Sequence, residues 1–374
     1  MKLNFIRLLI VIVAASTIGV ARAHAESQTT VKRPTLITSL DFTGAVDFCG
    51  EPVPLKNREV RERFEKELML SLWDRPQVIL WLKRSRRYLP IIEQQLIKEK
   101  MPDDLKYIAI AESALRPHSG SKKGAIGFWQ FVPATGRKYG LTIDHYKDER
   151  RNIYASTKAA LRYLKALYRI HDSWTLATAA YNMGEKGLMA EILEQGIPDY
   201  YQLYLPLETQ RYLFRILSVK LILSDPEKYG FYLSESDYYS PLASDPIQIK
   251  CTQETPVRII ARASGTHFKV IKDLNPEIRG HYLKKGSHDI RIPEGSADGF
   301  KDRFRKLEKK YQAAKASKIY IVKEGDNLSL IADRYGIPLA AIIIWNRIDI
   351  RRPIHPGDRL IIYGNDKASD DRKD

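Results

Sequence analysis

A lone carboxylate on an apolar helix face is the first residue in this sequence that could do chemistry. Residues 105–115 predict a helix in which Glu112 shares one face with three aliphatic side chains, at helical spacing. Burial disfavours the charged form of a carboxyl group and raises its pKa above the usual value of about 4.3. Such a group can hold a proton near neutral pH and donate it to a glycosidic oxygen. The aliphatic residues of this face are Leu105, Ile108 and Leu115.

The loop that follows this helix has the composition of a ligand-contacting segment. Residues 118–132, HSGSKKGAIGFWQFV, are rich in Gly, Ser and Lys, which offer hydrogen bonds to a ligand at close approach. Ser121 and Gln130 could hold the amide groups of a sugar, and Trp129 could stack on a pyranose face. The plain alternatives are that Ser121 is only solvated and that Trp129 packs in the core.

Two more polar side chains stand at a predicted helix end. Tyr181 and Asn182 precede a glycine there and could face a ligand, although Tyr181 could equally only pack. Glu112 also has a structural alternative, a buried ion pair with an arginine. Asp103 and Asp104 are most simply N-terminal caps of the Glu112 helix. The arginines available to Glu112 are Arg116, Arg162 and Arg211.

These candidates lie in a region whose pattern is helical almost throughout. Between Asn57 and Tyr229, five stretches show apolar residues at three- and four-residue spacing, and breaks containing Gly or Pro separate them. The pattern predicts a compact all-α domain of about 180 residues, long enough to bury its own core.

The residues after Tyr229 predict smaller mixed units. A boundary rich in Ser, Asp and Pro leads into residues 246–294, which predict a strand, a helix and a closing strand. Residues 295–318 are basic and predict an amphipathic connecting helix, with a calmodulin-binding or membrane-surface helix as the alternative. Residues 319–363 predict a β-α-α-β unit, and residues 364–374 form a charged tail.

The composition limits the class of protein. The 374 residues, of mass 43.0 kDa, favour two to three domains, and 44% apolar with 28% charged residues is typical of globular chains. The formal net charge of +16 implies an anionic partner, which could be nucleic acid, membrane headgroups or an acidic wall polymer. Nucleic acid is the least expected of these, since the sequence contains no motif of that class.

The N-terminus predicts export. Basic residues precede an apolar run of about 13 residues, and small residues near Ala23 offer a cleavage site, so residues 1–25 have the pattern of a signal peptide. A transmembrane anchor is the alternative, but the run is shorter than the roughly 20 residues needed to cross a bilayer. No cysteine follows the run closely, so a lipid-anchored product is not expected. The mature protein is expected in the periplasm or cell envelope.

Cys49 and Cys251 are the two cysteines of the chain. In an oxidising compartment they could form one disulfide, and two unpaired, partly buried thiols are the alternative. Two cysteines without clustered histidines do not make a structural zinc site, and no metal or cofactor is implied.

Four motifs in the helical region resemble those of the lytic transglycosylase family, whose catalytic domain is similar to goose-type lysozyme. Its membrane-bound D-type members, which carry C-terminal LysM domains, are the most similar. One departure is the Phe128-Trp129 pair, where many members have Leu-Met. In order, the motifs are Glu112-Ser113, Gly127-Phe128-Trp129-Gln130, Ala180-Tyr181-Asn182-Met183-Gly184 and Glu208-Thr209-Gln210-Arg211-Tyr212.

The resemblance implies a mainly α fold with a lysozyme-like catalytic domain at residues 48–230. It implies that Glu112 is the sole acid and base, which protonates the oxygen between N-acetylmuramic acid and N-acetylglucosamine and then deprotonates the muramoyl 6-hydroxyl. The product is a 1,6-anhydromuramoyl end, so no second carboxylate is needed, unlike in the usual glycosidase. Substrate contacts are implied at Ser121, Gln130, Tyr181, Asn182 and Tyr212.

Residues 319–363 resemble a LysM domain, through YIVKEGDNLSLIADRYGIPLAAIIIWN and IHPGDRLII. This implies binding of N-acetylglucosamine polymers such as peptidoglycan, against the loop of Gly325, Asp326 and Asn327 and against residues 348–354. Asp326 and Asn327 could equally be a helix N-cap. Residues 246–294 resemble a degenerate copy of the same α+β pattern, which could be purely structural.

The expected function is therefore cleavage of peptidoglycan strands by an exported enzyme that a LysM domain holds at the wall. Peripheral contact with the outer membrane is a further expectation from the family. Two alternatives stay open: a muramidase hydrolase that uses the same Glu112, and a catalytically inactive wall-binding scaffold.

Overall fold

The computed structural model describes residues 35–41, 44–316 and 319–363. The predicted signal peptide at residues 1–25 and the charged tail at residues 364–374 lie outside the described residues. The described part is mainly helical, which confirms the predicted fold class.

Helices occupy the stretches whose apolar spacing predicted them, and the strands are short. The helices are α1 (Arg58–Trp73), α2 (Arg75–Glu99), α3 (Lys106–Ser113), α4 (Pro133–Lys138), α5 (Ile153–His171), α6 (Trp174–Met183), α7 (Glu185–Gln195), α8 (Leu207–Ser224), α9 (Val257–Ala263), α10 (Phe268–Leu274), α11 (Phe300–Ala316), α12 (Leu328–Arg334) and α13 (Leu339–Asn346). The strands are β1 (Asp47–Phe48), β2 (Glu51–Pro52), β3 (Ser244–Cys251), β4 (Thr255–Pro256), β5 (Tyr282–Leu283), β6 (Gly286–Pro293), β7 (Ile319–Ile321) and β8 (Arg359–Ile361).

The chain divides into two compact units. The first holds the residues up to Arg116 together with Thr157–Ser240, and the second holds Pro117–Ser156 together with the residues from Pro241 onward. The region predicted as one catalytic domain, residues 48–230, is therefore shared between the units.

Helix α8 is the centre of the first unit. Helices α1, α3 and α6 all pack against it, and its buried side chains include Phe214 and Leu217. Phe64 of α1 packs on Phe214 with ring centroids 6.1 Å apart. Burying a side chain of this size contributes about 1.5–3 kcal/mol. Because α8 carries Tyr212 and α3 carries Glu112, this packing brings the two together.

Asp103 and Asp104 do not cap α3, so that prediction is wrong. No side-chain cap hydrogen bond begins this helix. Asp103 instead pairs with Lys106 at 2.6 Å. Asp104 accepts a hydrogen bond from the Cys49 N–H at 2.7 Å and pairs with Lys220 at 2.8 Å. Asp104 thereby ties the start of α3 to α8.

The second unit contains two β-α-α-β modules. In the middle module, β3 pairs antiparallel with β6, from Ser244 opposite Pro293 to Cys251 opposite Gly286. In the terminal module, β7 pairs antiparallel with β8. The sequence predicted one helix in the middle module, whereas the structure has α9 and α10. Helix α9 was not predicted, although Arg258 and Arg262 are exposed at a helical spacing of four residues between buried apolar side chains.

Helix α11 is the amphipathic helix predicted after the middle module. Phe300 and Phe304 are buried in the core of that module, and Leu307 and Tyr311 pack against it. Its apolar face is therefore used inside the unit, so the alternative of a calmodulin- or membrane-binding helix is wrong.

In the described ranges, no single helix is long and apolar enough to cross a membrane. Helices α12 and α13, bent by 111° at their junction, meet the length and composition criteria only as a pair.

Candidate active site

Glu112 lies at the end of α3, on the side that packs against α8. Leu105 and Ile108 are fully buried on the apolar face, as predicted. The helix ends sooner than predicted, because Ala114 and Leu115 take left-handed φ angles of 53° and 56°. Such angles are uncommon for residues with a side chain. Two such residues in succession change the direction of the chain, so the helix ends one residue after Glu112.

Tyr212 is the direct partner of Glu112. Its hydroxyl donates a hydrogen bond to Glu112 Oε1, and only 2% of Tyr212 is exposed. Burial raises the pKa of Glu112 to about 7, while the Tyr212 hydrogen bond and the charge of Arg215 lower it and the charge of Glu208 raises it. A carboxyl group with a pKa near 7 can both donate and accept a proton at neutral pH.

Glu112 forms no ion pair with an arginine within the described part of the chain, so the structural alternative for this residue is wrong. Arg211 pairs with Glu67 at 2.5 Å, and only 4% of the Glu67 side chain is exposed. Arg116 Nε donates to a backbone carbonyl of α3 at 3.1 Å. Arg162 is exposed on α5.

Helix α6 adds Tyr181 to the same cluster. Burial and the negative charge of Glu112 raise the pKa of Tyr181 well above 10, so its phenol stays protonated. The ring packs against Tyr163, with centroids 5.2 Å apart. Asn182 Oδ1 accepts a hydrogen bond from Thr209 Oγ1 at 2.9 Å, which links the end of α6 to α8. Three predicted residues, Glu112, Tyr181 and Tyr212, thus meet in the first unit.

Ser121 and Gln130 belong to the second unit, where their loop folds back on itself. Gln130 Nε2 donates to two backbone carbonyls of the loop at 2.9 and 3.2 Å. Ser121 Oγ accepts from the Ala125 N–H at 3.1 Å. Ser121 is exposed and Gln130 is half-buried. Both side chains shape the loop, and their contact with substrate stays a prediction.

Trp129 is fully buried, so its predicted stacking on a sugar ring is wrong. At the neighbouring Gly127, a residue with a side chain would not fit unless the backbone moved. A Cβ atom at Gly127 would lie 1.8 Å from the carbonyl oxygen of Arg150, and its φ of +87° is also unfavourable for other residues.

A buried ion pair, missed from the sequence, holds both ends of this loop. Arg150 Nε and Nη2 each bond to the Asp148 carboxylate at 2.8 Å. Arg150 Nη1 donates to the carbonyls of Gly124 and Phe131 at 2.8 and 3.0 Å. The two side chains are only 5% and 2% exposed. This ion pair was not predicted, because an Asp and an Arg two residues apart in a polar stretch do not by themselves indicate a buried contact.

The first loop of the terminal module is held by its own side chains. Asn327 Oδ1 accepts from a backbone N–H of α12 at 2.9 Å, so the alternative role as an N-cap is confirmed. Asp326, whose side chain is 5% exposed, accepts from the Lys323 N–H at 2.8 Å and pairs with Arg334 at 3.1 Å. Gly325 and Asn327 are exposed. The loop itself therefore remains open to a ligand.

Cys49 and Cys251 are free thiols, so the disulfide considered from the sequence is not formed. Cys251 is enclosed in the core of the middle module, and burial raises the pKa of its thiol to about 11. Burial likewise raises the pKa of the Cys49 thiol in the first unit. Cys251 is buried and Cys49 is half-buried, as the alternative of two unpaired, partly buried thiols described.

The Glu112 carboxyl group, with the Tyr212 hydroxyl as its hydrogen-bond donor, is placed to give a proton to a ligand or take one from it. In the described ranges, no group of three or more His, Cys, Asp or Glu side chains is placed to hold a metal ion. Arg215 is an electrostatic contributor that the sequence did not identify, although it stands one helical turn after Tyr212.

Two protein families match parts of the chain. A family described as "Transglycosylase SLT domain" matches residues 90–203, and one described as "LysM domain" matches residues 320–362. The chain is 30% identical over 340 residues to "Membrane-bound lytic murein transglycosylase D" of Escherichia coli (strain K12), covering 86% of this chain and 73% of that protein.

Two shorter similarities involve other transglycosylases. The chain is 35% identical over 108 residues to "Peptidoglycan transglycosylase gp16" of Escherichia phage T7, covering 25% of this chain and 8% of that protein. Among solved structures, the soluble lytic transglycosylase SLT70 from Escherichia coli shows 18% identity and a TM-score of 0.34, covering 48% of this chain and 31% of that one.

Proposed function

The chain belongs to the lytic murein transglycosylases, and from that premise we propose that Glu112 performs both proton transfers of the reaction. The protein is a peptidoglycan lytic transglycosylase with a LysM domain for the same polymer. The observation that supports Glu112 is its half-buried position against the Tyr212 hydroxyl, where burial raises its pKa to about 7.

In the first step Glu112 acts as the acid. Its proton passes to the oxygen that joins N-acetylmuramic acid to N-acetylglucosamine, and the bond between that oxygen and the anomeric carbon breaks. The hydrogen bond from Tyr212 stabilises the carboxylate that remains, because hydrogen bonds to charged acceptors are strong.

In the second step the Glu112 carboxylate acts as the base. It takes the proton of the muramoyl 6-hydroxyl, whose oxygen attacks the anomeric carbon and closes the 1,6-anhydro ring. Glu112 ends protonated, as it began, and no water is consumed. One carboxylate is therefore enough, and the group that touches Glu112 directly is the Tyr212 phenol rather than a second acid.

The substrate contacts remain part of the proposal. Tyr181 and Asn182 lie on the helix that approaches Glu112, and Tyr212 touches it directly. Ser121 and Gln130 shape a loop of the second unit, and the exposed Ser121 hydroxyl is free to approach a glycan from solvent.

The products of peptidoglycan digestion test the reaction. We expect mass spectrometry of the soluble fragments to show 1,6-anhydromuramoyl ends. Reducing ends in their place would mean that water reaches the anomeric carbon and that the protein is a hydrolase. Wall binding without any released fragment would favour the inactive scaffold.

Tyr212→Phe should shift the pH dependence of activity. The hydroxyl of Tyr212 lowers the pKa of Glu112, so its removal raises that pKa further above 7. The alkaline limb of kcat/KM, where the acid loses its proton, should move up by about one pH unit. Below pH 7 the rate should fall about tenfold, because the remaining carboxylate loses its donor. An unchanged alkaline limb would contradict the assignment of this limb to Glu112.

We further propose that the terminal module binds glycan through the loop of Gly325, Asp326 and Asn327 and through residues 348–354. Asp326→Ala removes the acceptor of the Lys323 N–H and the partner of Arg334, so the loop loses its shape.

Binding to insoluble peptidoglycan should weaken about tenfold in Asp326→Ala, measured by co-sedimentation. Cleavage of short soluble glycans should be unaffected. The matched control is Asp333→Ala, which removes an exposed carboxylate from the same module. Equal sedimentation of the two variants would place the glycan elsewhere.

The proposed domain division is a catalytic domain at residues 48–230, a degenerate LysM-like module at 246–294, a basic helix at 295–318 and the LysM domain at 319–363. The family matches at residues 90–203 and 320–362 support the first and last of these.

The protein acts in the cell envelope, where peptidoglycan lies. Export to the periplasm through the predicted signal peptide is the finer proposal. The net charge of +16 would add a salt-sensitive attraction to the acidic peptides of the wall and to anionic outer-membrane lipid.

A further inference from the structure

The middle and terminal modules are two copies of one fold. Each begins with a strand, continues through two short helices and closes with a strand that pairs with the first. Corresponding landmarks of the first helix and the turn after it lie 71 residues apart. These pairs are Val257 and Leu328, Ala263 and Arg334, and Gly265 and Gly336, whose φ angles are +67° and +59°.

An asparagine makes the same hydrogen bonds in both copies. Asn275 in the middle module donates to the Arg291 carbonyl and accepts from the Arg291 N–H, each at 2.7 Å. Asn346, 71 residues later, donates to the Ile361 carbonyl at 2.8 Å and accepts from the Ile361 N–H at 2.5 Å. Both also donate to the carbonyl four residues earlier. The asparagine therefore anchors the second helix to the closing strand in the same way.

The loop before the first helix differs sharply between the copies. In the terminal module, Gly325 and Asn327 are exposed. The positions 71 residues earlier are Glu254 and Pro256, and Pro256 is buried together with Thr255 between them. Thr255 Oγ1 donates inward, to Glu308 of α11, at 2.8 Å. The face that is open in the terminal module is covered in the middle one.

The cover comes from the chain itself. Glu254 accepts a hydrogen bond from the Tyr146 hydroxyl at 2.8 Å and forms an ion pair with Arg347. The Arg347 guanidinium lies over the rings of both Tyr146 and Tyr282, 4.6 and 4.5 Å from their centroids. An arginine between two aromatic faces and beside a carboxylate is favourably placed.

The second loop of the middle module is covered by the same segment, residues 144–152. Backbone hydrogen bonds join Asp148 N–H to the Glu277 carbonyl at 2.8 Å and Arg279 N–H to the Tyr146 carbonyl at 2.7 Å. Side chains reinforce them. Lys284 pairs with Asp144 at 2.8 Å, and Asn152 donates to Glu277 at 2.9 Å.

We propose that the middle module is a LysM fold converted into an internal docking surface. The segment that docks on it is residues 144–152 of the same chain. Arg347 packs between Tyr146 of this segment and Tyr282 of the module. The module then holds the loop of Ser121 and Gln130 in place, because Asp148 and Arg150 connect the docked segment to the Gly124 and Phe131 carbonyls. Of the two modules, the terminal one then binds glycan. This consequence rests on the proposed function.

Tyr146→Ala tests the docking. It removes the hydrogen bond to Glu254 and one face of the Arg347 stack. We expect amide hydrogen exchange in residues 121–131 to accelerate about tenfold or more. We also expect KM for soluble glycan to rise roughly 3- to 10-fold with kcat little changed, since the residues acted upon are positioning residues. Tyr146→Phe keeps the ring and should restore most of both values. Lys269→Ala, in an exposed ion pair of the same module, is the matched control.

Several results would overturn the proposal. Unchanged exchange and KM in Tyr146→Ala would show that the docked segment does not position the loop. Loss of co-sedimentation with peptidoglycan as severe as in Asp326→Ala would show that the middle module binds glycan at this edge. Glu254→Gln, which weakens the pair with Arg347, gives the same test if Tyr146→Ala does not fold. The exchange measurement does not depend on activity. If the wild type released no anhydromuramoyl products, this result would contradict the proposed function but not the docking of segment 144–152.

Discussion

Glu112→Gln should lower the rate of glycan cleavage by about 10³-fold or more. The amide of glutamine can still accept the hydrogen bond from Tyr212, so the local packing is kept. It can neither donate a proton to the glycosidic oxygen nor take one from the 6-hydroxyl. Acid–base catalysis contributes about 10²- to 10⁴-fold for one proton transfer, and here one residue serves both steps.

The same substitution should stabilise the folded protein at neutral and alkaline pH. Burial raises the pKa of Glu112 to about 7, so the folded state holds this proton more tightly than the unfolded state, whose pKa is about 4.3. The free energy of unfolding of the wild type therefore falls as pH rises from about 4.3 to 7 and is level above that. Glutamine carries no charge, so above pH 7 the variant should be more stable by up to about 4 kcal/mol.

Product release from peptidoglycan and urea unfolding at pH 5 and pH 8 check these expectations. The matched control is Glu99→Gln, which neutralises a carboxylate that is 43% exposed in a loose pair with Lys165. It should leave both the rate and the pH dependence of stability unchanged. If Glu112→Gln retained more than a tenth of the activity, another group would have to supply the proton.

Gly127→Ala should destabilise the protein by about 4 kcal/mol or more. The new Cβ atom would lie 1.8 Å from the Arg150 carbonyl oxygen, which is backbone and cannot rotate away. Relief of this overlap would displace the backbone of Arg150, whose side chain holds the Gly124 and Phe131 carbonyls. Losses of this size are exceptional for one methyl group and arise when a buried network is broken.

Gly124→Ala separates the overlap from the backbone angle. Gly124 has a φ of +78°, similar to that of Gly127, but no atom lies within 4 Å of a Cβ placed there. Its substitution should cost only about 1 kcal/mol, the usual penalty for a left-handed residue with a side chain. Denaturant unfolding of the two variants measures the difference. Equal losses would mean that the close approach at Gly127 is relaxed without cost.

The helical elements and the main catalytic candidate could be predicted from local sequence. Glu112 was found because its neighbours Leu105 and Ile108 place it on a buried face, and burial acts on a carboxyl group in a known direction. Helix α9 was not predicted, whereas the core position of Trp129 was one of the two alternatives that the sequence left open for it. The exposed Arg258 and Arg262, four residues apart, were the available signal for α9, and the burial of Trp129 depends on the groups that cover it.

Local chemistry in the sequence thus determined most of the helices and which carboxylate lies on an apolar face, because these follow from periodicity along the chain. The motifs carried the resemblance of the terminal module to a glycan binder. Only the tertiary structure decided which groups meet. The Tyr212 hydroxyl reaches Glu112 across 100 residues, and Tyr146 reaches Glu254 across 108. It also decided that segment 144–152 covers the middle module. Such pairings depend on how packed helices and strands place distant side chains, and a linear pattern does not encode that distance.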